Sequence, residues 1–445
     1  MTATDRLADL THALLDAARA AGAEAADAMA LDGTSLSVGV RSGALEDAER
    51  SEATDLGLRV LIDGRQACVS ASDTSRDTLR NMAEHAVAMA REAPRDPHIG
   101  LADPEDLCRE WDLAALDLND PAAEPAAEAL RDLALRCEAA ALDRPGISQV
   151  SSTHASFGRR HVHLAASNGF SGGYARSSTG LSCSAITGTG GSMERDHFGD
   201  MRTHAADMLS PEEIGRIAAD RTLARAGARQ PATGSFPVLF DERISGSLIA
   251  HLLGAINGTA ITRGASWLRD ALGQQVLPAG IDLIEDPTRP RVTGSRPFDA
   301  EGLPARPRRI IENGILTGWT LDLATGRKLG LPSTGNAVRG PSSPPSPSVS
   351  NATLTPGRHS AADLMAQMGT GLLVTGLIGS TINPTTGDYS RGASGLWIEN
   401  GAPAYPVNEC TIAGNLRDML ARIIPANDAR PHLSRVVPSL LIEGM

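Results

Sequence analysis

His251 stands in the segment Leu248-Ile-Ala-His-Leu-Leu-Gly-Ala-Ile256, whose apolar spacing predicts a helix. A helix that carries two histidines about one turn apart, with a glutamate beside the first, is a common platform for zinc-dependent hydrolysis. Here the position after the histidine is Leu252, and Ile256 stands where a second imidazole would be sought. One imidazole does not make a zinc site, and the segment reads as a helix with a packed or half-exposed histidine. His154, His161 and His163 form the only histidine cluster. Strand alternation would set the last two on one face, but no carboxylate or cysteine lies at a telling distance along the chain, so solvated strand histidines are expected. Glu194-Arg-Asp-His-Phe198 invites an acid–base reading and is explained as well by a charged turn between strands. Gly392-Ala-Ser-Gly395 misses the spacing of a nucleophile elbow. Gly188-Thr-Gly-Gly191 and Gly369-Thr-Gly371 lack the Lys-Ser/Thr ending of a phosphate loop.

The run from Gly376 to Gly401 is the densest in glycine, hydroxyl and charged residues, between two apolar strand-like segments. Such a composition suits a backbone that turns sharply and offers amides and hydroxyls to a ligand or partner. Asn383, Asp388, Ser390, Arg391 and Glu399 are its candidate binding or interface residues. Asn, Asp and Ser also cap turns by local hydrogen bonding.

The elements that would position these residues fall into two halves. Thr4 to Ala21 has helical spacing and stops at Gly22. Short alternating segments follow to Ala71, and helical periodicity resumes from Asp73 to Arg91. After a Pro- and Asp-rich connection, Ala126 to Leu142 reads as a helix, 147–207 as a second run of strands, and Ser210-Pro-Glu-Glu as the capped start of another helix. From Gly234 onward short strands alternate with Gly and Pro, and helical patterns remain only at Arg243–Ile256, Ser360–Met368 and Gly414–Ile424. The expected fold is α+β: N-terminal α/β layers with antiparallel sheets over 1–230, with helix–sheet–helix units at 1–93 and 126–230, then a mostly β, sandwich- or barrel-like domain over 231–445. The proline-rich 340–351 stretch, flanked by strand-like segments, is expected to be an ordered extended loop.

With 445 residues and 41% hydrophobic content, the chain can bury more than one core. No apolar run is long enough to span a membrane and the N-terminus has no signal-peptide pattern, so a cytoplasmic protein is expected. Five cysteines without CxxC spacing argue for reduced thiols. Residues 1–230 hold 36 acids and 23 arginines, net −13, against 17 acids and 18 bases in the remainder. That acidic half should repel nucleic acid.

Several C-terminal segments together resemble the TldD/TldE family, and its TldE (PmbA) branch in particular. They are Gly294–Gly302, Ile311–Leu316, Asp322–Gly330, Ser333–Ala337 and the Asn383–Gly401 block, with Ala413-Gly-Asn-Leu416 in support. The resemblance implies a two-subunit zinc metalloprotease. In its TldD-type subunit a His-Glu-x-x-x-His helix holds the metal, together with a cysteine. His251, Leu252 and Ile256 then look like the degenerate counterpart, and nothing around Cys410 equates it with the catalytic subunit's ligand. What the resemblance implies is a non-catalytic subunit without a metal or cofactor of its own, zinc residing in a TldD-type partner, and unfolded or small peptides as substrates. Self-association is an option when the partner is missing. Two other readings stand beside it: an autonomous metal-dependent peptidase using the histidine cluster, and a peptide-binding, chaperone-like module.

Overall fold

The computed structural model describes residues 3–445. Helix α1 (Ala3–Ala21) buries Leu7, Thr11, Leu14 and Ala18, a stripe at helical spacing, and ends where Gly22 takes a φ of +99°. Six long strands follow across the N-terminal half: β1 (Ala25–Arg41), β2 (Ala44–Ile62), β3 (Arg65–Ala71), β4 (Ile147–Ala166), β5 (Ser171–Thr187) and β6 (Glu194–Arg202). They form one antiparallel sheet in the order β3-β2-β1-β4-β5-β6. The two expected helix–sheet–helix units therefore share a sheet, joined where β1 pairs with β4.

Helices α2 (Arg76–Glu92), α3 (Ala127–Leu142) and α4 (Pro211–Leu223) complete this half. Ser75 caps α2 and Ser210 forms a capping box with Glu213 on α4. Ala26, Ala28 and Ala30 of β1 pack with α1 and α2, whereas Leu36, Val38 and Val40 pack with α3 and α4. All six are even-numbered, so strand alternation places the four helices on one face of the sheet. Odd-numbered Met29 and Leu31 face the other way and join Phe298 of the C-terminal half.

The C-terminal half is mostly strand, in two main sheets. One has six strands, here β7 (Val238–Phe240), β8 (Gly371–Ile382), β9 (Asp388–Glu399), β10 (Ala402–Asn415), β11 (Ile424–Pro425) and β12 (Leu440–Ile442), in the order β10-β9-β8-β7-β12-β11. The other has five short strands, around Leu283–Glu285, Arg308–Glu312 and Ala352–Leu354. One core draws on both sheets and on helix α5 (Glu242–Ala255). The proline-rich stretch is an ordered loop in which Ser346–Pro347 pairs with Ala337–Val338.

That loop region also locks the halves together. Arg339, fully buried, makes an ion pair with Asp27 of β1, and Arg59 of β2 donates to the same carboxylate at 2.6 Å. Nearby Pro341 lies against Gly57 so closely that any side chain there would meet its backbone oxygen at 2.3 Å. The segment 194–198, expected as a charged turn, is instead part of edge strand β6, and its acids reach the C-terminal half. Asp196 pairs with Arg243 at 3.2 Å, and Glu194 accepts from Asn408 at 2.7 Å.

Candidate functional site at helix α5

Asp241 caps α5 by accepting from the Arg243 amide, and Ser245, Leu248, Ile249, Leu252 and Leu253 carry its apolar face into the core. Leu252 and Ile256 are both 0% exposed, sealed in the cluster that also holds Phe240, Val374 and Tyr389. His251 points away from that face and is half-buried. Its Nε2 is shut off from solvent without a hydrogen-bond partner, and the ring sits edge-on to Tyr389 with centroids 6.1 Å apart.

Strand β9 supplies the rest of this locus. Tyr389 and Arg391 are two residues apart and so share a face. Tyr389 is 2% exposed, and its hydroxyl has no partner of ordinary geometry. Burial pushes the phenol up to about 12, a rise opposed by the charge of the nearby Arg391 guanidinium and by its contact with the hydroxyl. Burial also lowers the His251 imidazole, and repulsion from Arg391 adds to the effect. Arg391 Nε is a third buried, unpartnered polar atom. The locus thus holds a neutral imidazole, a neutral phenol and a permanent cation.

These residues do not fit a zinc ion. A catalytic zinc needs three protein donors around an open position, whereas α5 offers one imidazole beside a guanidinium that would repel a dication. Among the described residues no three His, Cys, Asp or Glu side chains converge as a metal group would require. Cys410 sits elsewhere: its thiol donates to the Ala393 carbonyl at 3.3 Å and lines a separate cavity of about 460 Å³ with Phe236 and Trp397.

The five candidates of the glycine-rich run do not form one site. Asn383 accepts from the Thr385 and Thr386 amides, and Asp388 from the Thr386 hydroxyl and Asn415, so both hold the β8–β9 turn. Ser390 alternates to the opposite face of β9 from Tyr389 and Arg391. Glu399 is exposed at the far end of β9, roughly 26 Å from Arg391 at about 3.3 Å per residue. Only Arg391 reaches His251. Tyr389 went unnamed in the sequence, although its place two residues before Arg391 in a strand is the signal that could have found it.

The histidine cluster is not uniformly solvated. His154 is exposed, but His163 is 4% exposed beneath α1, where Thr11 Oγ1 and its Nδ1 are 2.9 Å apart. Its imidazole is lowered from the ordinary 6.5 to about 4, by burial first and then by repulsion from His12. Pairing of β1 with β4 sets Asp32 opposite His161, a carboxylate that linear distance hides, yet Asp32 is already bound by Arg6 at 2.7 Å.

Comparison with known proteins places this architecture. Residues 26–90, 120–226 and 233–445 match, in turn, domain 1, the central domain and the C-terminal domain of the PmbA/TldA metallopeptidases. The chain is 36% identical to the metalloprotease PmbA of Escherichia coli O157:H7, over 93% of this chain and 89% of that protein.

The chain belongs to the PmbA/TldD metallopeptidase family.

It lies in the PmbA (TldE) branch. A PmbA homolog of Haemophilus influenzae is 35% identical over 92% of this chain and 89% of its own length. By contrast, a TldD homolog of Buchnera aphidicola is 27% identical over 49% of this chain and 45% of its own length. The fold is shared with a candidate modulator of DNA gyrase from Bacteroides thetaiotaomicron, at a TM-score of 0.92 and 25% identity over 100% of this chain and 99% of that one. TldE from Thermococcus kodakarensis has the same fold, with a TM-score of 0.85 and 19% identity over 98% of each chain.

Proposed function

We propose that this chain is the non-catalytic, TldE-type subunit of a cytoplasmic two-subunit zinc metalloprotease. It pairs with a TldD-type subunit that holds the zinc, and it walls a shared chamber that admits unfolded or small peptides. One observation carries the reading: Leu252 and Ile256, at the positions of the missing base and second ligand, are fully buried core residues. A side chain that fills a core cannot also turn to a metal and its water. Membership of the PmbA branch supports the pairing, because TldD-type relatives exist alongside it. With the partner missing, the same face would serve for self-association.

Co-expression with a TldD-type protein from the same genome tests this. The expected result is a one-to-one complex that cleaves an unfolded peptide, with cleavage lost when the partner's motif glutamate is replaced and zinc content unchanged by His251→Ala in this chain. Cleavage and bound zinc in the purified single chain would favour an autonomous peptidase. Peptide binding with no cleavage in any combination would favour a holding module.

A further inference from the structure

The three buried polar atoms at α5 are not scattered. His251 and Tyr389 touch ring to ring, and Arg391 acts electrostatically on both. Tyr389 lies deepest at 2% exposure, while His251 and Arg391 are half-buried, so each of these two is partly open to solvent. Gly254, one turn along α5, is exposed, and nothing stands within 4 Å of where its Cβ would be. Among the described residues no carboxylate pairs with Arg391. Asp388, the acid nearest to it along β9, is already held by Thr386 and Asn415.

The chemistry selects the ligand class. A guanidinium is a fixed cation with several donors, a phenol donates one hydrogen bond, and a neutral imidazole donates from Nε2 in one tautomer. A half-buried cation without a counter-charge is costly, and a planar carboxylate is the anion whose two oxygens match a guanidinium. We propose that His251, Tyr389 and Arg391 form a carboxylate-binding site beside helix α5. The carboxylate is either the free C-terminus of a peptide or an acidic side chain of a bound peptide. Only this choice of source rests on the peptide-handling reading above; the site itself requires no partner subunit.

The test uses the whole chain alone, with ¹³C-labelled histidine rings and the His251 signal identified by its loss in His251→Gln. Three short alanine peptides are titrated: one with a free C-terminus, one capped as the amide, and one amide-capped with an internal glutamate. Zinc chloride is titrated separately. A saturable shift of the His251 signal is expected with the first peptide, the third, or both, which also identifies the source, and none with the uncharged amide. Arg391→Ala should weaken the response roughly 10- to 100-fold, as a charge-assisted bond would, and Tyr389→Phe roughly 2- to 10-fold. Arg391→Lys should retain part of the affinity, which separates lost charge from lost fold. The proposal is overturned if neither carboxylate moves the signal, if the uncharged amide moves it equally, or if one equivalent of zinc saturates it. A failed heterodimer leaves this result standing, and a failed titration leaves the heterodimer standing.

Discussion

Leu252 and His251 are neighbours in sequence with opposite surroundings, one at 0% exposure and the other half-buried beside a cation. Leu252→Glu would bury a carboxylate in the core cluster that also holds Phe240, Val374 and Tyr389. We expect thermal unfolding to show a loss of several kcal/mol, with no zinc gained by the chain. His163 gives a second, pH-dependent outcome. Its folded pKa of about 4 lies below the ordinary 6.5, so between those values the unfolded chain binds a proton that the folded chain does not. Stability is therefore intact above about pH 6.5 and falls as the pH drops toward 4, by on the order of 3 kcal/mol in full. Denaturant titrations across that window should slope less steeply in His163→Gln; an unchanged slope would assign the acid sensitivity to other groups. Spacing alone was enough to read His251 as a lone imidazole, because a helical motif is local. Thr11 was not legible, because it meets His163 across a long stretch of chain, and Tyr389 was legible only by its strand spacing from Arg391, not by its contact with His251.

Helices α2 to α5 were visible as elements from their apolar periodicity and caps, which depend on neighbouring residues alone. Strand β1 was not. Its first half, from Ala25 to Thr34, is alanine-rich, and Asp32-Gly33 resembles a turn. Pairing on both sides, with β2 and β4, overrides those preferences, and at Gly33 the Arg159 backbone comes within 3.1 Å of where a Cβ would be. Strand β6 was read as a turn for a related reason: its charges look solvated until the C-terminal half supplies Arg243 and Asn408. Close approach also sets the fate of Gly57. Gly57→Ala must push β2 and the Pro341 loop apart, so a loss of about 1–3 kcal/mol is expected, with faster proteolysis within 340–351. Wild-type resistance in that variant would mean that the loop does not depend on this packing.

The two halves of the molecule are joined through Asp27, Arg59 and Arg339, an ion cluster that no linear pattern announces because its members lie far apart in the chain. The N-terminal half presents a four-helix layer on one sheet face and turns the other toward the C-terminal half, which sets the loop of Arg339 and Pro341 against β1 and β2. In the proposed function, this frame works with a partner that brings the metal. Native mass spectrometry of the complex with a TldD-type subunit measures that most directly. The account predicts one zinc per one-to-one heterodimer, bound by the partner, and none on this chain when it is purified alone. A stoichiometric zinc ion on this chain by itself would contradict it.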